Sequence, residues 1–487
     1  MTEVERSAAE PALLVIFGGT GDLARRKLLP ALAHLTTTGR LHPESRIVGV
    51  ATNPANTEES YRELVGDALA AADVETSGLR ERVHYQGLGE GTAEDYAALA
   101  TRLRELEREH GLAPCRAFYL ALPTAALFSV IEGLAGADLN RDESGGWSRV
   151  VIEKPFGHDL ASATDLVDRL HRSFDEHQIF RIDHYLGKET VQNLLALRFG
   201  NSIFESLWNR DRIESVEIQV AESVGVGTRA KYYDSAGAMR DMIQSHLIQV
   251  MSLVAMEVPT VLSAQSVRYE KTKVLRSIAP IRDVDVVYGQ YASGDVRGEF
   301  APGYLEEPGI SADSQTETFA ALRLEVMNWR WQGVPFYLRT GKRLARRSTR
   351  IGVRFKSSPI CMFELDGVCR MSNNVLIVDL QPDEGFALHM DVKRPGSSTD
   401  LERIPLRFQY GDRFESLPDA YETLLLDVLR GDQTLFVHSE EVLESWRLFD
   451  PLLGRSREVH DYSCGSWGPE AAEGFAIQER DLMRGPL

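Results

Sequence analysis

Near its start the chain reads ALLVIF, Ala12 to Phe17, then GGTG, Gly18 to Gly21, then DLARRKLLPAL. An apolar run of strand length that passes through glycines into a helical pattern fits few folds, because helices must cover the faces of a buried strand. The rhythm repeats. RIVGVA (Arg46 to Ala51) is followed by a helix from about Glu58, and Thr92 with Asp95 has capping-box spacing before a helical run that ends at His110 and Gly111. AFYLAL (Ala117 to Leu122) and RVVIE (Arg149 to Glu153) continue the series. This alternation predicts βαβ units and a parallel sheet.

Beyond about residue 195 the texture changes. VEIQV (Val216 to Val220), TFAALRLEV (Thr318 to Val326), NVLIVDL (Asn374 to Leu380) and GFALHMDVK (Gly385 to Lys393) alternate with few helices between them, which predicts a mostly antiparallel sheet. Ser235 to Met256 reads as one long helix with a wide apolar face, and DAYETLLLDVLRG (Asp419 to Gly431) as a helix with a glycine stop. The polar end after about Pro469 is expected to fray.

At 487 residues the chain is long enough for about two to four domains. A composition of 43% hydrophobic and 26% charged residues excludes disordered, fibrous and membrane classes. With 54 basic against 72 acidic residues, the net charge of −18 disfavours nucleic acid and anionic membrane as partners, so any anionic ligand must be met by a local cluster. Cys115, Cys361, Cys369 and Cys464 contain no C-x-x-C pair, so the expectation is four reduced thiols, with no disulfide framework and no metal site. The acidic N-terminus lacks signal-peptide character and no run nears the ~20 apolar residues of a membrane span, which predicts a cytoplasmic protein.

In Gly18 to Leu32 the glycines let the backbone approach a ligand, and the helix start offers N–H groups and partial positive charge to a pyrophosphate. The spacing is G-x-x-G rather than G-x-G-x-x-G, so a dinucleotide loop and an ordinary strand-to-helix turn both stay open. After the second strand, where an acid for the ribose or an arginine for a 2′-phosphate is expected, sit Thr52 and Asn53. EKPFG puts Lys154 before a proline at a strand's carboxyl edge, where parallel sheets bind ligands; a solvated turn is the plainer reading.

RIDHYLGKETVQN, Arg181 to Asn193, gathers cations where the parallel texture ends, the natural place for an interdomain cleft. His184, Tyr185 and Lys188 have the donors and charge to hold a phosphate monoester, Gly187 leaves room at the next helix start, and Asp183 can orient an imidazole. A structural salt-bridge cluster explains the same residues. His246 lies one turn after Met242 and Ile243 in the long helix, where a carboxylate neighbour makes it a base useful near neutral pH and a satisfied core histidine is the plain alternative. Asp241, five residues earlier, is expected off that face, beside a substrate.

Taken together, GGTGDLARRKLLPAL, EKPFG, RIDHYLGKETVQN, YYDSAGAMRDMIQSHLIQ, NWRWQGVPFYLRTGKRL and DAYETLLLDVLRGDQTLF resemble, in order and approximate spacing, the glucose-6-phosphate dehydrogenase family. The resemblance spans nearly the whole chain. It implies an α/β Rossmann-like coenzyme domain over residues 1–182 and a larger β+α domain over residues 183–487 for substrate binding and association into a homodimer or homotetramer. It also implies oxidation of the sugar phosphate glucose 6-phosphate to a lactone with NADP or NAD as cofactor, the first step of the oxidative pentose phosphate pathway.

By the same resemblance, His246 is the general base and Asp183 its carboxylate partner. His184, Tyr185 and Lys188 grip the phosphate; Glu222 and Asp241 bond sugar hydroxyls; Lys342 and Arg347 close over the substrate. Gly18, Thr20, Gly21, Asp22, Leu23 and Thr52 face the coenzyme, and Lys154 lies between coenzyme and sugar. Thr52 departs from the pattern, standing where the family usually has an arginine for the 2′-phosphate of NADP. A hydroxyl cannot replace a guanidinium's charge, so NAD is expected to serve comparably well or better. Thr124, Met327 and Tyr288 also replace a proline, an aspartate and an arginine of the pattern, which marks a divergent member and leaves the best sugar open. Two rivals remain: the same chemistry on another hexose phosphate, and a non-catalytic dinucleotide-sensing scaffold. The joint presence of His246, Asp183 and Lys188 argues against the scaffold.

Overall fold

The computed structural model describes residues 9–475 apart from 54–55, 75–77, 144, 366–367, 398–399, 415–416 and 456. The chain forms two compact units. The first runs up to Lys188 and takes in Leu262–Arg268 and Pro418–Leu443; the second holds Glu189–Val261, Tyr269–Leu417 and the chain from Glu444 onward.

In the first unit six strands pair in parallel: β1 Leu13–Phe17, β2 Arg46–Ala51, β3 Val83–Gly87, β4 Cys115–Leu120, β5 Trp147–Ile152 and β6 Ile179–Arg181. Their order is β3-β2-β1-β4-β5-β6. The direction of winding reverses beside β1, so the carboxyl ends of β1 and β4 bound the crevice where such sheets bind ligands. Leu13, Val15 and Phe17 face one side of the sheet, in a core shared with Tyr96, Leu99, Leu103 and Leu106 of the helix Ala93–His110. Those four positions recur at helical spacing, and each buried leucine contributes roughly 1.5–3 kcal/mol. Thr92 and Asp95 form the expected capping box, and Gly111 ends the helix at φ 66°.

The second unit is built on a nine-stranded sheet of β7 Ile213–Ala221, β8 Val286–Ala292, β11 Phe319–Glu325, β12 Pro335–Gly341, β13 Ser348–Phe355, β16 Val375–Gln381, β17 Gly385–Lys393, β18 Leu401–Gln409 and β19 Val459–Ser463. Among the described residues two small hairpins complete the count, β9 Gly294–Val296 with β10 Glu299–Ala301 and β14 Glu364–Leu365 with β15 Val368–Cys369. The large sheet runs β18-β17-β16-β13-β7-β12-β11-β8-β19. Only the β7/β12 and β8/β19 pairings are parallel. No helix among the described residues is long and apolar enough to cross a membrane.

Three expectations are corrected. The long helix predicted over Ser235 to Met256 is three pieces, Ala230–Ala238, a π-helix Met239–Leu247 and Ile248–Ala255, with Gly237 at φ 70°, ψ 171°. A Cβ at Gly237 would lie 2.4 Å from Glu317 Oε1, so the glycine makes way for a buried carboxylate. Cys361 and Cys369 are joined in a disulfide across the β14/β15 hairpin, where the chain turns back and brings their Cα atoms to 5.9 Å; the expectation of four reduced thiols fails, and Cys115 and Cys464 are the free, buried ones. Residues Glu470–Phe475, expected to fray, form a 3-10 turn with Ala472 buried, and the chain after 475 lies outside the described residues.

Candidate functional site

The glycine loop sits at the switch point of the parallel sheet. Gly18 has φ 75°, and a Cβ there would lie 2.4 Å from the Ala121 carbonyl that follows β4. A Cβ on Gly19 would lie 2.8 Å from Gly49 Cα in β2. Close approach of three chain segments therefore demands glycine at both positions. The Gly21 N–H donates to the Gly18 carbonyl at 2.8 Å, and Arg25 Nε donates to the Thr20 carbonyl at 3.0 Å, so the turn is fixed before the helix that starts at Asp22 and Leu23. A helix start at this crevice suits a pyrophosphate, and the loop residues fit a dinucleotide. Thr52 and Asn53 are exposed just past β2.

Lys154 follows β5 and precedes Pro155 through a cis peptide. Asp183 follows β6, whose pairing with β5 is extended by the Ile182 N–H bonded to the Ile152 carbonyl at 3.0 Å. Asp183 is buried and its Oδ1 accepts the Tyr185 N–H at 2.9 Å, which bends the chain into a turn. The bend buries Tyr185 and leaves His184 and Lys188 partly exposed, with Lys188 Nζ 4.5 Å from the centre of the Tyr185 ring. Gly187 has a reason the sequence did not show. A Cβ there would meet Leu424 at 2.8 Å and the Ala420 carbonyl at 2.9 Å, so the room it leaves belongs to the helix Ala420–Arg430.

Arg181 opens this stretch but does not face a ligand. It is 0% exposed, and its Nη1 and Nη2 bond the two oxygens of Glu176 at 2.7 and 3.0 Å. Glu176 also meets His171 Nε2 at 2.7 Å and His438 Nε2 at 3.3 Å. His438 Nδ1 accepts the Glu440 N–H, which fixes the neutral imidazole with its proton on Nε2. Burial alone would raise the Glu176 carboxyl, but the Arg181 charge and the Arg181 and His171 hydrogen bonds hold it at about 2, against an ordinary 4.5. Burial pushes His438 down from 6.5 to about 4 despite the pull of Glu176.

Both groups bind protons more weakly folded than unfolded, so protonation favours unfolding. The His438 contribution is present above pH 6.5 and lost as pH falls to about 4; the Glu176 contribution is present above pH 4.5 and lost toward pH 2. Each is on the order of 3 kcal/mol. Urea midpoints should therefore decline below pH 6.5 in two overlapping stages, and His438→Asn should flatten the first stage most, with a smaller effect on the second because His438 also helps hold the Glu176 carboxyl down. A flat midpoint between pH 7 and 4 in the parent protein contradicts the assignment.

In the second unit Glu317 organises the segment that carries His246. Its Oε1 accepts the Met239 N–H at 3.0 Å, its carbonyl accepts the Ala238 N–H at 3.0 Å, and its Oε2 pairs with Arg457 at 2.7 Å. Arg457 in turn lies 4.9 Å over the ring of Tyr288, one of the positions that departs from the family pattern. The helix then runs as a π-helix, closed by the Ile248 N–H on the Ile243 carbonyl. Bonding from i to i+5 puts residues five apart about one turn apart. Asp241 and His246 consequently share a face, which corrects the expectation that they diverge; both are buried. The Tyr232 hydroxyl donates to Asp241 Oδ1 at 3.4 Å and stays protonated, pushed up to about 12 by burial and the Asp241 charge.

Glu222 follows β7, and its N–H bonds the Gly341 carbonyl of β12 at 2.9 Å, which brings its side chain to Lys342: Nζ to Oε2 is 2.6 Å. Lys342 Nζ also lies 5.0 Å over the Tyr233 ring. Arg347 is placed differently. Its Nη2 donates to Gln381 Oε1 at 3.0 Å, and it lines a cavity of about 390 Å³ with Arg346, Arg350, Arg407 and Asp379; Glu222, Asp241, His246 and Lys342 do not line that cavity. The sequence reading passed over Glu317, Arg457 and Tyr232. Gly237 was the available signal for Glu317, while Arg457 reaches the site from a distant segment that no local spacing marks.

Comparison with known proteins matches the model of the glucose-6-phosphate dehydrogenase NAD binding domain to residues 15–193 and that of the glucose-6-phosphate dehydrogenase C-terminal domain to residues 195–482. The chain is 43% identical to glucose-6-phosphate 1-dehydrogenase of Aggregatibacter actinomycetemcomitans, with 98% of each protein covered. It is 44% identical to that of Rhizobium meliloti (strain 1021), with 97% of each covered. A solved glucose-6-phosphate dehydrogenase in complex with its substrate glucose-6-phosphate superposes with a TM-score of 0.88 at 37% identity, over 96% of this chain and 97% of that one. Glucose-6-phosphate 1-dehydrogenase from Mycobacterium avium gives 0.81 at 35% identity, over 96% of this chain and 97% of the other.

Proposed function

Since the chain belongs to the glucose-6-phosphate dehydrogenase family, we propose that it oxidises glucose 6-phosphate at the anomeric carbon, with a nicotinamide dinucleotide as oxidant. The observation that carries the reading is the buried imidazole of His246 set one π-turn from Asp241. His246 takes the proton of the anomeric hydroxyl, with Asp183 as its carboxylate partner; the carbon–hydrogen bond breaks with its electron pair leaving as hydride, and the oxygen becomes the lactone carbonyl. Bound nicotinamide supplies the hydride acceptor. Gly18, Thr20, Gly21, Asp22 and Leu23 hold the coenzyme's pyrophosphate side, Thr52 borders its adenosine ribose, and Lys154 stands between coenzyme and sugar. His184, Tyr185 and Lys188 hold the phosphate. Asp241 and Glu222 bond sugar hydroxyls, with Glu222 kept in place by Lys342.

Arg347 acts with Lys342 over the substrate only by leaving the Gln381 bond it makes here. We place the enzyme in the cytoplasm, at the first step of the oxidative pentose phosphate pathway, as a homodimer or homotetramer. The exposed Met390, Val392, Ile404 and Leu406 on β17 and the edge strand β18 support association through that end of the sheet. Reduced coenzyme should be followed with glucose 6-phosphate, glucose and other hexose phosphates, each with NAD and NADP. Loss of charge-assisted bonds predicts a kcat/KM for glucose at least ~10-fold below that for glucose 6-phosphate. Equal turnover of glucose would remove the phosphate role of His184 and Lys188, and a faster hexose phosphate would reassign the substrate.

A further inference from the structure

The kink at Gly237 interrupts the helix just before the segment that carries Asp241 and His246. A kink leaves N–H groups that must bond outside the helix. Glu317 takes two of them, Ala238 on its backbone carbonyl and Met239 on its Oε1, each at 3.0 Å. The carboxyl is fully buried against Gly237, so its own position fixes where the π-helix begins. A buried carboxyl stays a strong acceptor only beside positive charge. Burial pushes Glu317 up, and the largest pull against burial is the Arg457 charge, with the Met239 N–H and Arg240 adding smaller ones.

Arg457 reaches this carboxyl from late in the chain. β19 runs parallel to β8 with Val459 beside Tyr288, which brings the residues just before β19 to the start of β8. The segment is anchored on both sides of Arg457: Arg455 pairs with Asp283 at 2.6 Å, and the Tyr462 hydroxyl donates to the Lys342 carbonyl at 2.7 Å. The Arg457 guanidinium lies 4.9 Å from the centre of the Tyr288 ring and 2.7 Å from Glu317 Oε2. Burial and the Glu317 charge push the Tyr288 hydroxyl up to about 12, so position 288 also stands in the field of that carboxyl. Two positions therefore face Glu317, and this chain carries the ring at 288, where the family pattern has an arginine, and the guanidinium at 457.

We propose that Arg457 is a positioning residue for the reaction: it takes over the place of the pattern's arginine at 288 and, through Glu317, sets the start of the π-helix that bears Asp241 and His246. The inference rests on the reading of His246 as the general base. Without the guanidinium the buried carboxyl loses its main counter-charge, its hold on the Met239 N–H weakens, and the imidazole is no longer fixed against the hydroxyl it deprotonates. A displacement of about 1 Å can cost ~100-fold in rate.

Arg457→Met should lower kcat per folded enzyme by ~10- to 100-fold and leave the coenzyme KM within about 2-fold, since the residues assigned to the coenzyme belong to the other unit. Adding Tyr288→Arg to that variant returns a guanidinium from β8 and should bring kcat to within about 5-fold of the parent. Arg455→Met, which removes only the pair with Asp283, should leave kcat unchanged. Hydrogen exchange read by mass spectrometry should show amides 238–247 exchanging ~10-fold faster in Arg457→Met, with protection regained in the double variant. Arg457→Lys keeps the charge but loses the planar fork, and it should show the same local change in milder form if the methionine variant does not fold. Parental kcat and exchange in Arg457→Met, a double variant no better than the single one, or a lowered urea midpoint with kcat per folded enzyme unchanged overturns the proposal. A parent inactive on every hexose phosphate would instead remove the reading of His246, while the exchange of amides 238–247 still decides whether Arg457 sets the helix.

Discussion

His246→Asn is expected to lower kcat by about 10³-fold while leaving KM for glucose 6-phosphate within about 3-fold, as fits removal of a general base. The asparagine keeps a polar group on the π-helix between Ser245 and Leu247, so the fold there has no reason to change. What disappears is a group able to accept the hydroxyl proton as the carbon–hydrogen bond breaks. That interaction exists only in the transition state, so its loss appears in kcat and not in affinity. Steady-state rates with both substrates varied, alongside coenzyme and sugar-phosphate binding by calorimetry, check the split. A matching rise in KM with little change in kcat would instead make His246 a binding residue. A variant with Glu317→Gln offers a useful contrast, since it retains the imidazole but weakens the Arg457 pair that helps set the start of the helix.

The parts of this molecule governed by local rules were open to reading from the sequence. The glycine loop, the Thr92 and Asp95 capping box, and the strands Arg46–Ala51 and Gly385–Lys393 follow from periodicity, caps and turn residues. What escaped depends on partners far along the chain. β6 is only three residues long and lies in place because Ile152 and Phe436 pair with the residue after it. The helix Ala420–Arg430 was read correctly as a helix, yet nothing local said that it would return to the first unit and press on Gly187. The π-helix is the sharpest case. A 3.6-residue period put Asp241 and His246 on different faces, and only the wider turn that begins beyond Gly237 aligns them. Resemblance named Arg347 as a site residue, but its side chain in this structure is held by Gln381, a partner supplied by β16.

The coenzyme prediction turns on one exposed position. Thr52 directly follows β2 with neither the carboxylate that grips a ribose diol nor the guanidinium that grips a 2′-phosphate. The backbone beside it is anchored by the Tyr85 hydroxyl on the Asn53 carbonyl at 2.8 Å, so a new side chain at position 52 should project from a fixed base. On these grounds the parent enzyme should use NAD at least as well as NADP. Thr52→Arg adds a bidentate phosphate partner, and charge-assisted bonds of about 1.5–3 kcal/mol each should raise the ratio of kcat/KM for NADP to that for NAD by ~100-fold, mainly through KM for NADP. The gain should shrink as salt rises, because the position is exposed and the new attraction is screened. Initial rates at subsaturating coenzyme and two ionic strengths measure both effects. A parent enzyme that already prefers NADP strongly, with Thr52→Arg changing nothing, would mean that a different cation holds the 2′-phosphate and that position 52 does not face it.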